Sequence, residues 1–148
     1  MRKIVLAADH GGFKLKEEIK TYLKDFKDLE VTDLGTNSEE SVDYPNYGVK
    51  AGKAVASGQA DVGIIFCGTG IGISIAANKV RGIRAANCVT PFMAEMSRKH
   101  NNANILALGG RIVDLKTAQE IVKTFLETPF EGGRHERRVL QITQSEAR

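Results

Sequence analysis

Strand-like and helix-like segments alternate from one end of this chain to the other. Apolar runs of strand length occupy residues 3–8, 29–34, 60–67, 82–88 and 103–108. Helical patterns occupy residues 13–26, 47–56, 73–79, 91 to about 100, 115 to about 126, and 131 to about 146. The alternation predicts βαβ units and an α/β fold. We expect three layers: a Rossmann-like five-stranded parallel sheet, helices on both of its faces, and a C-terminal helix.

Length and composition narrow the class of protein. With 148 residues, the chain is expected to form one domain, residues 1–148. Its 21 basic and 18 acidic residues are nearly balanced, which argues against a dedicated nucleic-acid binder. The chain starts almost directly in a strand-like run, so we expect no signal peptide, and no apolar run in the sequence approaches membrane-spanning length. Its two cysteines form neither a disulfide framework nor a metal-ligand spacing, so we expect a cytoplasmic protein with no metal and no membrane contact.

The third strand-like run ends in a thiol, which three glycines at alternate positions follow. The motif is Cys67-Gly68-Thr69-Gly70-Ile71-Gly72, and a helix pattern comes directly after it. The start of a helix offers unpaired N–H groups and the positive end of its dipole, so this motif predicts an anion-binding nest. The same field favours the thiolate form of the cysteine. A tight strand-to-helix turn with a structural cysteine is the alternative, and the spacing fits neither a dinucleotide fingerprint nor a P-loop.

Polar residues follow two other strands at the same predicted edge of the sheet. Asp9-His10-Gly11-Gly12 comes after the first strand, and Gly109-Gly110-Arg111 comes after the fifth. Ligands of open parallel sheets bind outside the carboxyl ends of the strands. We therefore expect these residues to lie beside Cys67, although Asp9 and His10 could equally form a turn and a helix cap.

Two further candidates lie in a helix end and a long loop. His100 stands at the expected C-terminus of a helix, where the dipole favours the imidazolium form, and Asn101 follows it. His100 could therefore donate a proton, or it could simply cap the helix. Asp43 lies in the longest irregular stretch, residues 35–46, where plain turn chemistry is the alternative.

A basic stretch closes the set of candidates. Arg134 and Arg138 are four residues apart on a predicted helix, so their guanidinium groups share one face and suit a phosphate dianion. The alternative is a solvated charged face. His135 and Arg137 are expected on the surface, and Cys88 in the core.

Five separated blocks of the chain together resemble the B-type ribose-5-phosphate isomerase family. They are residues 8–12, 41–45, 67–79, 100–104 and 132–138. The resemblance spans about residues 3–143 and implies an aldose–ketose isomerase that works through a cis-enediolate without a metal or an organic cofactor. It also implies a phosphorylated sugar as substrate and a homodimer or homotetramer whose active sites are shared between subunits.

The resemblance also implies a role for each matching residue. Cys67 would be the base that moves a proton between C2 and C1, because Ile73 stands where another branch of the family has a glutamate. Thr69 and His100 would open the furanose ring, and Asp43 would orient that step. Contacts to the sugar or its phosphate would come from Asp9, His10 and Asn101. The oxyanion would be held by the N–H groups of Gly68, Thr69, Gly70, Ile71 and Gly72, and the phosphate by Arg111, Arg134 and Arg138.

The reaction implied is the interconversion of ribose 5-phosphate and ribulose 5-phosphate, in the non-oxidative branch of the pentose phosphate pathway. The presence of both His100 and the Arg134/Arg138 pair favours the ribose branch over the galactose 6-phosphate branch. An isomerase of hexose 6-phosphates (allose or galactose 6-phosphate) is the first alternative. A phosphosugar-binding protein without turnover is the second.

Overall fold

A computed structural model describes residues 1–146. Its five strands are β1 (Arg2–Ala8), β2 (Leu29–Asp33), β3 (Val62–Cys67), β4 (Ala85–Asn87) and β5 (Ile105–Gly109). Its six helices are α1 (Phe13–Leu23), α2 (Tyr44–Ala56), α3 (Ile71–Asn78), α4 (Pro91–Lys99), α5 (Leu115–Glu127) and α6 (Arg134–Gln144). Of the helices within residues 1–146, none has the length and apolarity needed to cross a membrane.

All five strands pair in parallel, in the order β2-β1-β3-β5-β4. The register places Ala8 beside Phe66 and Cys67 beside Gly109. The carboxyl ends of the three central strands β1, β3 and β5 therefore lie next to one another. This confirms the predicted α/β fold and places Cys67 at the tip of the middle strand.

Helices cover both faces of the sheet, as the alternation predicts. Every residue of β3 is buried, which is the pattern of a strand with packing on both sides. One face packs against α1, α4 and α5, with Ile19 and Phe125 at the centre of that layer. The other face packs against α2 and α3, with Ala51 and Ile73 in the contact. Truncation of a core side chain such as Ile19 to alanine typically costs about 2–5 kcal/mol.

Several boundaries differ from the predicted ones, for local reasons. Helix α2 begins at Tyr44 instead of residue 47, because Pro45 is accommodated in the first turn, where no backbone N–H donor is needed. Strand β4 is only three residues long, since the N–H of Arg84 is bound by the side chain of Asn104 and lies outside the regular ladder. The predicted helix caps at Thr90 and Asp114 are confirmed, as each side chain accepts a backbone N–H of the first turn.

Candidate active site

The turns that follow β1, β3 and β5 are joined into one surface. The N–H of Gly110 donates to the carbonyl of Cys67 (2.8 Å), and the N–H of Arg111 donates to that of Gly68 (2.9 Å). A Cβ at Gly12 would lie 2.4 Å from the backbone of Phe66, so only glycine allows the first turn to approach β3 this closely. The structure thus brings together the three groups of residues that the sequence places at this edge.

A cleft of about 350 Å³ opens at this edge of the sheet. Its lining combines residues of all three turns with the start of α2 and of α3: Asp9, Tyr44, Cys67, Gly68, Thr69, Ile71, Gly72 and Arg111. The cleft therefore joins a thiol, a carboxylate, a guanidinium and the glycine-rich turn in one small space.

The Cys67 sulfur is held by a backbone donor. The side chain is 5% exposed, and the N–H of Gly70 lies 3.1 Å from Sγ. Gly70 has a φ of +81°, and a Cβ there would lie 2.4 Å from Oδ1 of Asn87, so both backbone geometry and packing require glycine. An N–H that points at sulfur at the N-terminus of a helix stabilises the thiolate.

The glycine-rich turn leaves three N–H groups for a ligand. The N–H of Gly70 is directed to sulfur, and that of Ile71 donates to Oγ1 of Thr69 at 3.1 Å. Within the described part of the chain, the N–H groups of Gly68, Thr69 and Gly72 donate to no protein acceptor. Of the five N–H groups that the resemblance implies as oxyanion donors, these three are not engaged by a protein acceptor among the described residues.

Arg111 and Asp9 stand on either side of the turn. A Cβ at Gly68 would lie 2.6 Å from Nη1 of Arg111, and one at Gly11 would lie 3.4 Å from Nη2, so the guanidinium rests on two glycines. Among residues 1–146, this guanidinium has no hydrogen-bond or ion-pair partner. Asp9 is 7% exposed, and its Oδ1 accepts the N–H of Gly12 at 3.1 Å. The cleft thus offers one uncompensated cation to an anionic ligand.

His10 ties the loop before α2 to the cleft. Its Nδ1 accepts the N–H of Val42 at 3.1 Å, which leaves the imidazole proton on Nε2 as a donor. The tether brings the exposed Asp43 beside the site. It also places the ring of Tyr44 against Gly72, where a Cβ would lie 2.7 Å from Cε1. Tyr44 is a lining residue that the sequence analysis did not single out, and the absence of a side chain at Gly72 was the available signal.

His100 and Asn101 lie at the opposite edge of the sheet. Helix α4 begins after the carboxyl end of β4 and ends before the amino end of β5. It therefore runs from the carboxyl edge of the sheet back to its amino edge. Ile105 at the start of β5 pairs with Gly63, which lies four residues before Cys67, about 13 Å along β3. The C-cap residue His100 therefore does not reach the Cys67 cleft of its own chain. Arg134 and Arg138, at the start of α6, lie on the same side as His100.

The imidazole of His100 stacks on that of His135, with ring centroids 4.1 Å apart and planes 13° from parallel. His135 is buried, so its predicted surface position is wrong. Gly132 and Gly133 both have positive φ and turn the chain so that the first turn of α6 folds back over the end of α4. Burial lowers the pKa of His135, and the neighbouring His100 and Arg134 lower it further.

Glu131 completes this cluster. Its Oε1 lies 3.4 Å from Nε2 of His135 and 4.0 Å from Nε2 of His100. The three side chains are close enough to be considered as metal ligands. However, an ion bound by both imidazoles should lie in both ring planes, and two nearly parallel stacked planes do not allow that. This arrangement suits a carboxylate that lies beside the Nε2 edges of the two rings.

Comparison with known proteins agrees with the geometry. The ribose/galactose isomerase family profile matches residues 4–142. Ribose-5-phosphate isomerase B of Escherichia coli K12 is 51% identical over all of this chain and 99% of its own. The structure of ribose-5-phosphate isomerase B from Clostridium thermocellum superposes with a TM-score of 0.95 at 57% identity, covering 97% of each chain.

A third relative carries a ligand. The Mycoplasma genitalium ribose-5-phosphate isomerase B structure, with bound ribulose 5-phosphate, has a TM-score of 0.91 and 42% identity, covering 97% of this chain and 95% of that one. The family match spans nearly the full length, and the fold agrees with that of the solved relatives. The chain belongs to the ribose/galactose isomerase family.

Proposed function

We propose that this chain interconverts ribose 5-phosphate and ribulose 5-phosphate, with Cys67 as the base. The observation that carries the proposal is the Cys67 thiol at the tip of β3, which receives the N–H of Gly70 beside an open cleft. The names of the Escherichia coli and Clostridium thermocellum relatives and the ribulose 5-phosphate bound to the Mycoplasma genitalium protein support the choice of substrate.

The Cys67 thiolate removes the proton from C2 of the open-chain aldose and returns it to C1 of the cis-enediolate. The negative charge that develops on oxygen is stabilised by the N–H groups of Gly68, Thr69 and Gly72. Loss of one donor of this kind typically lowers kcat by about 10²–10³-fold. The reaction redistributes hydrogen within one molecule, so its balance requires no external oxidant or reductant. We propose that it proceeds without a metal or an organic cofactor.

The remaining steps use residues from both edges of the sheet. His100 donates the proton that opens the furanose ring, assisted by Thr69 and oriented by Asp43. Arg111 holds the phosphate from the cleft side, and Arg134 and Arg138 hold it from the side opposite the cleft. Asp9, His10 and Asn101 contact the sugar or its phosphate. The phosphate contacts supply binding energy that orients the reacting carbons against the thiol.

These two groups of residues meet when two copies of the chain combine. We propose a homodimer, which can pair further into a tetramer, in which His100, Asn101, Arg134 and Arg138 of one copy complete the Cys67 cleft of the other. Exposed apolar side chains beside the cleft support this arrangement: Ile71 and Ile75 on α3 are each 55% exposed, and Phe92 on α4 is 66% exposed. Contact with a second copy would remove these side chains from water. The cytoplasmic location and the pathway stay predictions.

The direct test is to mix the purified protein with ribose 5-phosphate and follow the formation of ribulose 5-phosphate, with and without EDTA. We expect equal rates in both conditions. An absence of turnover would favour a phosphosugar-binding protein, and loss of activity with EDTA would contradict the metal-free route. Allose 6-phosphate and galactose 6-phosphate, assayed in parallel, determine whether a hexose phosphate is preferred.

A further inference from the structure

Helix α6 is joined to the rest of the chain at its two ends. At the first end, the N–H of Glu131 donates to the carbonyl of Lys99 at 3.2 Å, and His135 stacks on His100. At the other end, Glu146 binds the segment that leads into β4. Among residues 1–146, no hydrogen bond links the intervening turns of α6 to another helix or strand.

Glu146 makes three hydrogen bonds at this second end. Its two carboxylate oxygens accept the N–H of Gly82 at 3.2 and 3.0 Å, and its carbonyl oxygen accepts from Nη2 of Arg81 at 2.7 Å. Gly82 has a φ of +90° and precedes β4, so its N–H has no partner in the strand ladder. A carboxylate that accepts a backbone N–H forms a stronger bond than a neutral acceptor.

Side-chain packing between the two ends is loose. A cavity of about 400 Å³ lies where Ile142 faces Ala85 and Ala103. Ile142 itself is 45% exposed, and Leu140 is 53% exposed. Within a single chain, the direction of α6 is therefore set by its end contacts more than by a packed interface.

We infer that Glu146 is a positioning residue for Arg134 and Arg138. This inference rests on the proposed function, in which the two arginines hold the phosphate of the substrate. Glu146 is eight residues beyond Arg138, about 12 Å along a helix, so it acts through the orientation of α6 and not by contact with the ligand. Release of this end would let the exposed arginines swing away from the partner's cleft.

The same carboxylate supports Asn101 through a chain of hydrogen bonds. The carbonyl of Gly82 accepts from Nδ2 of Asn104 at 2.9 Å, and Oδ1 of Asn104 accepts the N–H of Arg84 at 2.8 Å. Nε of Arg84 then donates to the carbonyl of Asn101 at 3.1 Å. Both phosphate-side elements, α6 and the turn after His100, thus share Glu146 as a support.

The test is steady-state kinetics of Glu146→Ala and Arg81→Ala with ribose 5-phosphate. Each variant is expected to raise KM by about fivefold, the effect of losing a modest hydrogen bond, with kcat within about twofold, because phosphate contacts are equal in the ground and transition states. The inhibition constant of inorganic phosphate should rise in parallel. The double variant should raise KM further than either single one, since Glu146→Ala removes the bond to Gly82 and Arg81→Ala removes the separate bond to the Glu146 carbonyl.

Two variants serve as controls. Glu146→Gln keeps a carbonyl acceptor for Gly82 and should recover most of the wild-type KM; a KM as high as that of Glu146→Ala would contradict the hydrogen-bond explanation. Glu136 carries the same negative charge as Glu146 and lies two residues from each arginine. Glu136→Ala therefore removes a charge near the arginines without removing the attachment of α6, and it should not raise KM. A rise there equal to that of Glu146→Ala would assign the effect to charge alone and overturn the inference.

Arg138→Ala separates this inference from the proposed function. If Glu146→Ala leaves KM unchanged while Arg138→Ala raises it, the positioning role is wrong and the phosphate role stands. If both variants leave KM and phosphate inhibition unchanged, the phosphate role of α6 fails and the positioning role fails with it.

Discussion

The backbone N–H of Gly70 donates to the sulfur of Cys67 across 3.1 Å. The carbonyl of Thr69, which belongs to the same peptide group, accepts from Nδ2 of Asn87 at 3.4 Å. One peptide plane therefore connects the thiol to the end of β4. A donor fixed in this way stabilises negative charge on sulfur without reorganising during the reaction. The geometry of residue 70 is accordingly the feature of the turn most sensitive to substitution.

Gly70→Ala is expected to lower kcat by about 100-fold or more, because displacing the N–H removes a donor that stabilises charge at the reacting centre. A Cβ at this position would collide with Asn87 and with the backbone of Leu108, 3.0 Å away. Steady-state kinetics with ribose 5-phosphate measure the effect. Gly58→Ala is the matched control, since Gly58 also has a positive φ (+84°) but open space around its Cβ. That control should lose stability through backbone strain and keep kcat, whereas a Gly70→Ala enzyme with normal kcat would refute this role of the turn.

Cys67→Ala is expected to abolish isomerisation and to retain binding of ribose 5-phosphate. The methyl group cannot accept a proton, whereas the phosphate contacts and the N–H groups of the turn stay in place. The rate of ribulose 5-phosphate formation and calorimetric titration of the sugar phosphate measure the two properties. Near-normal turnover in the variant would show that another group serves as the base. Cys88→Ala is the matched control, because burial raises the pKa of that thiol to about 11 and keeps it out of the reaction.

Cys67→Ala and His100→Ala proteins, each inactive alone, should regain activity when mixed. If each site takes its thiol from one copy and its imidazole from the other, half of the randomly formed dimers carry one intact site. About a quarter of wild-type activity is then expected after exchange of subunits. Activity measured against the time of mixing, with sedimentation to confirm the oligomer, provides the test. A mixture that stays inactive despite exchange would mean that both residues act within one chain.

Much of the fold could be predicted from the sequence outside the motifs of the candidate site. Hydrophobic periodicity predicted the five strands and helices α1 to α5, because each lies against a continuous core, and the helix caps at Thr90 and Asp114 were predictable from local chemistry.

The features that the sequence did not predict depend on contacts between distant residues. His135 is buried because two left-handed glycines fold α6 back onto α4, and residues Gly132 and Gly133 give no indication of where the turn will direct the helix. Similarly, the internal use of the Gly70 and Ile71 N–H groups follows from the positions of one sulfur and one hydroxyl oxygen. A glycine-rich motif predicts available donors, and the packing around it determines which of them remain free.

The His100–His135 stack predicts a loss of stability in weak acid. The pKa of His135 is lower in the folded protein than its usual value of about 6.5, first because of burial and then because of His100 and Arg134. The unfolded chain therefore binds more protons in this range, and the free energy of unfolding falls as the pH drops below about 6.5. Urea titrations at about pH 8 and about pH 5.5 measure the loss. His135→Phe keeps an aromatic ring against His100 but cannot be protonated, so the loss should be smaller; an equal loss would exclude His135 as its source.

Asp33 stabilises the fold by compensating a buried lysine. The side chain of Lys16 is 0% exposed, and its Nζ lies 2.6 Å from Asp33 and 2.8 Å from Glu17. Burial alone would raise the pKa of Asp33, but hydrogen bonds from Lys16 and Lys20 outweigh it and hold the pKa below its usual range. Asp33→Asn should lower the free energy of unfolding by about 2 kcal/mol, less than for a fully buried pair because Glu17 remains and Asp33 is partly exposed.

The same ion pair gives a pH dependence of defined sign. Because the pKa of Asp33 is lower in the folded than in the unfolded state, its contribution is complete above the unfolded value of about 3.9 and is lost as the pH falls through the folded value. Asp33→Asn should therefore weaken the acid sensitivity of unfolding below about pH 4. Adding Lys16→Met to Asp33→Asn removes the buried cation that has lost one of its two carboxylate partners and should restore much of the lost stability. Urea unfolding of the single and double variants checks both effects, and a double variant less stable than Asp33→Asn would show that Lys16 stabilises the protein through contacts other than this pair.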